Sequence, residues 1–167
     1  MKKIVILSVI LLISYNLYSQ SAEEYLNSSL AKVNLQDYRG AISDCNKAIE
    51  IEPNYALAYN NRGKVKYKLQ DYRGAISDYN KAIVINPNYA LAYENRGLAK
   101  FYTKDFTSAI DDFTTAININ PNDKEAYYGR GLTNILLGNK NKGCLDLSKA
   151  GELGHENAYN TIKEFCQ

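Results

Sequence analysis

Apolar and polar positions along this chain follow a repeating register. The fifteen residues from Leu35 to Ile49 return 34 positions later as Leu69 to Ile83, and only Cys45 changes, to Tyr79. Pro53 to Tyr59 likewise returns as Pro87 to Tyr93. A looser third copy keeps Asp105-Phe106, Ala109-Ile110, Phe113, Ala116-Ile117 and Pro121-Asn122. A degenerate fourth keeps Tyr127, Gly131, Leu147 and Ala150. Within one unit the pattern predicts two helices. Ala56 to Leu69 is the first, Asp71 stands where an N-cap belongs, and Tyr72 to Ile85 is the second. Asn86-Pro87 then stops the chain, because proline cannot continue a helix and restricts its predecessor. Gly63 with Ala75, and Gly97 with Ala109, give the small surfaces that let two helices of a hairpin approach. Tyr59, Tyr72 and Tyr79 fill the space beside them.

With these offsets in hand, the chain resembles the tetratricopeptide-repeat family. The first aromatic of that pattern falls on Tyr25, Tyr59, Tyr93 and Tyr127. The glycine falls on Gly63, Gly97 and Gly131, with Ser29 in its place in the first copy. The first alanine is Ala41, Ala75 and Ala109, then Gly143. The bulky core position is Cys45, Tyr79, Phe113 and Leu147. The second alanine is Ala48, Ala82, Ala116 and Ala150, and the closing proline is Pro53, Pro87 and Pro121, then His155. The resemblance covers residues 22–157 and implies an all-α fold, a right-handed superhelical solenoid of antiparallel helix pairs. Its units would span residues 22–55, 56–89, 90–123 and a degenerate 124–157, with 158–167 as a capping helix. Most of the fifteen tyrosines fall on repeating core offsets.

Two departures from the family pattern carry charge. Arg62, Arg96 and Arg130 stand where leucine is usual, and Lys66, Lys100 and Asn134 where tyrosine is usual. Half-buried cations need partners or an apolar path for their stems. Asp44, Asp78, Asp112 and Asp146 recur at the same spacing on the second helices. A ladder of Arg–Asp or Lys–Asp pairs along the repeat junctions is therefore expected, solvated surface charge being the alternative.

The N-terminus is built differently. Met1-Lys2-Lys3 precedes an apolar run from Ile4 to Ile13 and a polar stretch to Gln20. This is the layout of a secretory signal peptide over residues 1–19, cut after Ser19. An uncleaved anchor or a buried helix is the alternative. The run is short for a bilayer core of about 30 Å. The formal charge of +2 then belongs to the leader, since loss of Lys2 and Lys3 leaves 18 basic against 18 acidic side chains. A balanced mature chain gives no steering toward nucleic acid or an anionic membrane. The chain is expected to be exported, to a bacterial periplasm or beyond.

Cys144 and Cys166 lie equally far on either side of a turn centred near His155. An antiparallel hairpin would bring them side by side, and an oxidising compartment would let a disulfide persist; two buried thiols are the alternative. The end of the chain, from Gly143 to Cys166, also resembles the C-terminal ends of exported bacterial members of the family. Cys45 reads as a small core residue.

Catalytic chemistry finds little support. The lone histidine, His155, sits in a glycine-flanked turn and reads as an exposed loop residue, and no phosphate-binding, dinucleotide or zinc-protease motif is present. No metal site or cofactor is expected, nor is the chain expected to be an enzyme. The family resemblance instead implies a concave groove, lined by the first helix of each unit, that takes a peptide or partner protein. Carried onto this chain, the groove offsets give Asn27, Asn61 and Asn95, a row ending at Gly129. Beyond them lie Lys64, Tyr67 and Lys68, then Leu98, Phe101 and Tyr102, then Tyr128 and Leu132. The offsets with which some members clamp a terminal carboxylate hold Leu91 and Asn95 here, so that specificity is not expected. The rival expectation is a structural or self-assembling envelope component that uses the ends of the solenoid.

Overall fold

The computed structural model describes residues 21–166. The predicted leader and its cleavage point lie outside them. Nine α-helices and no strand occur among the described residues. Four antiparallel hairpins follow one another: α1 (Ala22–Asn34) with α2 (Tyr38–Ile51), α3 (Ala56–Lys68) with α4 (Tyr72–Ile85), α5 (Ala90–Tyr102) with α6 (Phe106–Ile119), and α7 (Lys124–Leu136) with α8 (Lys140–Glu152). A short α9 (Ala158–Phe165) packs on α8. Each helix touches its hairpin partner and the next helix in sequence, and first helices also touch one another (α1 with α3, α3 with α5, α5 with α7), which makes the fold a superhelical solenoid. No described helix is long and apolar enough to cross a membrane.

Local chemistry sets the helix ends. Ser21 and Glu24 form a reciprocal capping box at the start of α1. Asp37, Asp71 and Asp105 cap the second helices by accepting the backbone N–H of Gly40, Gly74 and Ser108. The turn inside every hairpin has the same shape. Gln36, Gln70 and Lys104 take positive φ of 61°, 62° and 64°, and Gly138 takes 81° in the fourth copy. There the next N–H reaches back five residues, as from Asp71 to the Lys66 carbonyl at 2.9 Å. This is a Schellman end, which glycine adopts with least strain and which three of these hairpins make without it.

The core is a stack of paired small and large residues. A Cβ on Gly63 would lie 2.6 Å from the Tyr79 ring, and one on Gly97 3.0 Å from Phe113. Tyr79 and Phe113 are each 1% exposed, and burial of such a ring contributes on the order of 2–3 kcal/mol. The first hairpin lacks the ring. Ser29 replaces the glycine, Cys45 replaces the ring, and their Oγ and Sγ meet at 3.1 Å. Burial raises the Cys45 thiol above its ordinary range.

The charged ladder is present and has two kinds of rung. Within a hairpin, Arg62, Arg96 and Arg130 each grip an aspartate with Nε and Nη2: Asp78 at 2.9 and 2.6 Å, Asp112 at 2.8 and 2.6 Å, Asp146 at 2.8 and 2.8 Å. Across the junction, the remaining Nη1 donates to the preceding second helix, to Asn46, Asn80 and Thr114 at 2.6, 2.6 and 3.1 Å. The ion pair is thus internal to a hairpin, and a neutral acceptor spans the junction where an aspartate was expected. Lys66 and Lys100 add second cations to Asp78 and Asp112 at 2.7 and 2.8 Å. In the first hairpin Ser28 and Lys32 replace the arginine and meet Asp44 at 2.6 Å each. Burial pushes the Asp44 carboxyl up, but the bonds from Lys32 and Ser28 outweigh it and hold it below its ordinary value. Each arginine also lies 5.4–5.6 Å from the ring of Tyr59, Tyr93 or Tyr127 on its own helix.

Cys144 and Cys166 are joined by a disulfide that ties α8 to the end of α9. Cys45 is buried and free.

Two stability tests follow. Asp112→Ala, which strands two cations, is expected to lower unfolding free energy by about 3 kcal/mol. Arg96→Ala, which leaves Lys100 on Asp112, is expected to cost about 2 kcal/mol. Urea denaturation ranks the two, and equal, sub-kcal losses would mean that the ladder is solvated. Reduction of Cys144–Cys166 should remove about 3 kcal/mol, by the size of the loop it closes, and differential calorimetry with and without reductant measures the loss.

Candidate functional site

Among the clefts that the first helices of the hairpins help to line, two hold groove residues named from their offsets. The N-terminal cleft, about 250 Å³, lies between α1 and α3 and is lined in part by Val33, Asn34, Asn61, Lys64 and Lys68. The C-terminal cleft, about 270 Å³, lies among α3, α5, α7 and the turn before α9. It gathers Tyr67, Leu98, Phe101, Tyr102, Tyr128 and Leu132, all named from their offsets, and adds Glu94, Glu125 and His155. Asn27 is exposed and lines neither cleft.

The asparagine row is more internal than its offsets suggested. Asn61 and Asn95 are 8% and 9% exposed. Asn95 donates to Asn60 Oδ1 at 3.1 Å, a bond between buried side chains of α5 and α3. Asn60 Nδ2 has no hydrogen-bond partner among the described residues. Asn95 therefore spends its amide holding two hairpins together.

Aromatic packing builds the apolar wall. Tyr72 stacks on Tyr102 with centroids 5.1 Å apart, and Tyr67 meets both edge-on. Burial raises the Tyr67 phenol above its ordinary range, with Tyr102 adding to the shift. Phe101 sits edge-on to Phe106. At the floor Phe113 lies against Gly129, where a Cβ would come within 2.6 Å of the ring. Glycine ends the asparagine row because the ring needs that space.

His155 corrects the expectation of an exposed loop residue. It is 8% exposed. Its ring stacks on Tyr128 at 3.8 Å and 14°. Nδ1 accepts the Asn157 N–H at 3.3 Å, so the proton of the neutral ring sits on Nε2, which faces Glu125 Oε2 at 3.2 Å. Tyr128 also shares a 3.1 Å hydrogen bond with Thr161 on α9. The cap thus supplies one wall of the cleft.

Glu94 is the group the offsets missed. Leu26, Asn60, Glu94 and Tyr128 form their own row at 34-residue spacing, one position before the asparagines, and that adjacency was the available signal. Burial pushes the Glu94 carboxyl up to about 7, with help from the charges of Asp123 and Glu125, while Lys64 pulls the other way. Asp123 is raised as well, by burial, against backbone bonds from Ala126 and Glu125 that lower it. The cleft is acidic and apolar together, whereas the N-terminal one is basic. No group of three or more His, Cys, Asp or Glu among the described residues is placed to hold a metal ion. Such a surface can bind through charge and apolar area.

Residues 30–70 and 63–104 match a family model described as TPR repeat, and residues 90–123 match one described as tetratricopeptide repeat. Among solved structures, a crystal structure of MamA is 25% identical, with TM-score 0.74, over 83% of this chain and 81% of that one. The first TPR domain of Spaghetti (RPAP3), bound to the HSP90 peptide SRMEEVD, is 25% identical with TM-score 0.69, over 70% of this chain and 93% of its own. The Sgt2 TPR domain from Aspergillus fumigatus is 22% identical with TM-score 0.68, over 72% and 82%, and shows the fold alone. Among curated proteins none matches the chain.

A Glu94 carboxyl raised from 4.5 to about 7 holds its proton in the folded state over a range where the unfolded chain has lost it. Stability therefore falls as pH rises through that window, and the full cost is present above it. Glu94→Gln is expected to stabilise the fold by about 3 kcal/mol at pH 8 and by almost nothing at pH 4. Urea unfolding of both proteins at the two pH values checks this, and an equal difference at both would refute it.

Proposed function

The chain belongs to the tetratricopeptide-repeat family, and from that premise we propose that it is an exported protein-interaction module whose groove holds an extended segment of a partner protein. The family fold and the peptide-bound Spaghetti domain support a protein-interaction role. The observation that carries the groove reading is the pair of clefts on the first helices, where large apolar and aromatic side chains stay open to solvent beside unmatched charge. Tyr102 is 51% exposed there, although it has aromatic neighbours on two sides. Aromatic anchors with polar surroundings are what protein interfaces use. Export is supported by the basic, apolar, polar order of residues 1–20 and by the disulfide, which an oxidising compartment preserves. Binding in the groove involves no covalent step.

Self-assembly through the ends predicts a different contact map. A photo-crosslinking residue placed at Tyr102 or Lys64 should trap a partner in the native envelope, and one at Val84, which is 77% exposed on a second helix, should not. Adding Leu98→Glu should cut the Tyr102 product at least tenfold. Equal products at all three positions, or products that contain only a second copy of this chain, would sink the groove reading, and light scattering would then report the assembly.

A further inference from the structure

We propose that the C-terminal cleft is a subsite for a basic side chain, a lysine or arginine of the partner segment, with a large apolar neighbour of that residue seated on Leu98, Phe101 and Leu132. The inference rests on the groove reading and specifies what the groove selects. Its ground is charge that the fold leaves unmatched. Glu94 lines the cleft, yet no hydrogen bond or ion pair within 4 Å reaches its carboxylate from any described residue. After burial itself, Asp123 and Glu125, both of its sign, push its proton affinity up, against a weaker pull from Lys64; Lys124 lines a neighbouring cleft with it but makes no ion pair to it. Glu125 has a partial answer in His155 Nε2 at 3.2 Å, and Asp123 caps α7 through the Ala126 N–H at 3.0 Å. Glu94 has neither. Lys64, the cation felt there, lines the other cleft.

A carboxylate half out of water without a partner is unfavourable, and a cation from outside relieves it. The surroundings suit a cation with an apolar stem. Tyr67, Tyr102 and Tyr128 line the same space and offer ring faces or edges to a guanidinium or ammonium group and its methylenes. The volume, about 270 Å³, lies at the small end for a cofactor or metabolite site. It suits one or two side chains of a peptide laid along the groove. This chemistry is opposite to that of the acidic peptide SRMEEVD held by the Spaghetti domain.

The test uses the mature protein and an array of peptides Gly-Ser-X-Z-Ser-Gly in which X and Z run through all twenty residues. The strongest spots should pair Lys or Arg with Phe, Tyr, Leu, Ile or Met. Fluorescence anisotropy on the best basic peptides should show about a tenfold loss for Glu94→Gln, a variant expected to be at least as stable as the parent. SRMEEVD should not compete with them. If neutral or acidic pairs dominate and Leu98→Glu abolishes them, the groove reading stands and the basic subsite falls. Unchanged affinity for basic peptides in Glu94→Gln also removes the subsite, and an array without any bound spot removes both readings.

Discussion

Everything in this solenoid hangs on the burial of one aspartate per hairpin. Asp44, Asp78, Asp112 and Asp146 are between 2% and 9% exposed. A carboxylate at that depth is tolerable only when donors surround it. In three of the four hairpins an arginine answers, and its planar fork does two jobs. Nε and Nη2 hold the aspartate across the hairpin while Nη1 holds the helix of the unit before. A lysine could serve as a point charge but could not span three helices with fixed geometry. The family's usual leucine and tyrosine would fill the same space with apolar area and would not demand a direction. Buried ion pairs are seldom more stabilising than well-packed apolar residues. What this arrangement adds is register, since the fork is satisfied at one angle between successive units. The groove's shape follows from that angle.

The architecture was legible in the sequence because the repeat is nearly literal. Identical residues at 34-residue spacing can only make identical hairpins, and Asp71 with Asn86-Pro87 marks the ends of a helix through known capping and proline physics. The aspartate ladder was legible for the same reason, as a row of one residue type. Its junction rung was not, because Asn46, Asn80 and Thr114 share no charge and differ in type. The paired substitution of Ser29 and Cys45 was visible as two separate departures. Only the packing shows them as one event, where the added hydroxyl of Ser29 meets the thiol that stands in the ring's place.

The clefts were legible in part. Offsets on a helix name the face that looks into the groove, so Tyr67, Leu98, Phe101, Tyr102, Tyr128 and Leu132 came out together. Offsets do not report depth. Asn61 and Asn95 share a face with open neighbours but lie below them, and Asn95 is engaged with Asn60. His155 was unreadable for another reason. It stands where the repeat has its proline, in a turn between glycines, and nothing local says that the chain folds back over α7. The histidine ring is buried by stacking on Tyr128 of α7, and α9 holds that turn in place, with Thr161 bonded to Tyr128 and its far end tied to α8 by the disulfide.

That cap has a consequence for the groove. A solenoid could continue past α8, leaving Tyr128 open on the groove face. Here α9 and the turn before it close that face and bring His155 down on the ring. The cleft changes from an open strip to a site with an end. A strip of rings favours any apolar segment, whereas an end with Glu94 and Glu125 beside it discriminates by charge. The basic cleft formed by Lys64 and Lys68 lies at the other end of the same groove, so the two halves favour opposite signs. Under the proposed groove binding, a peptide with one basic and one acidic patch would take one direction along it, because the reversed direction sets like charges against each other. In that proposal the arginine forks hold two clefts of opposite sign in a fixed order, and that order is what a partner segment would read.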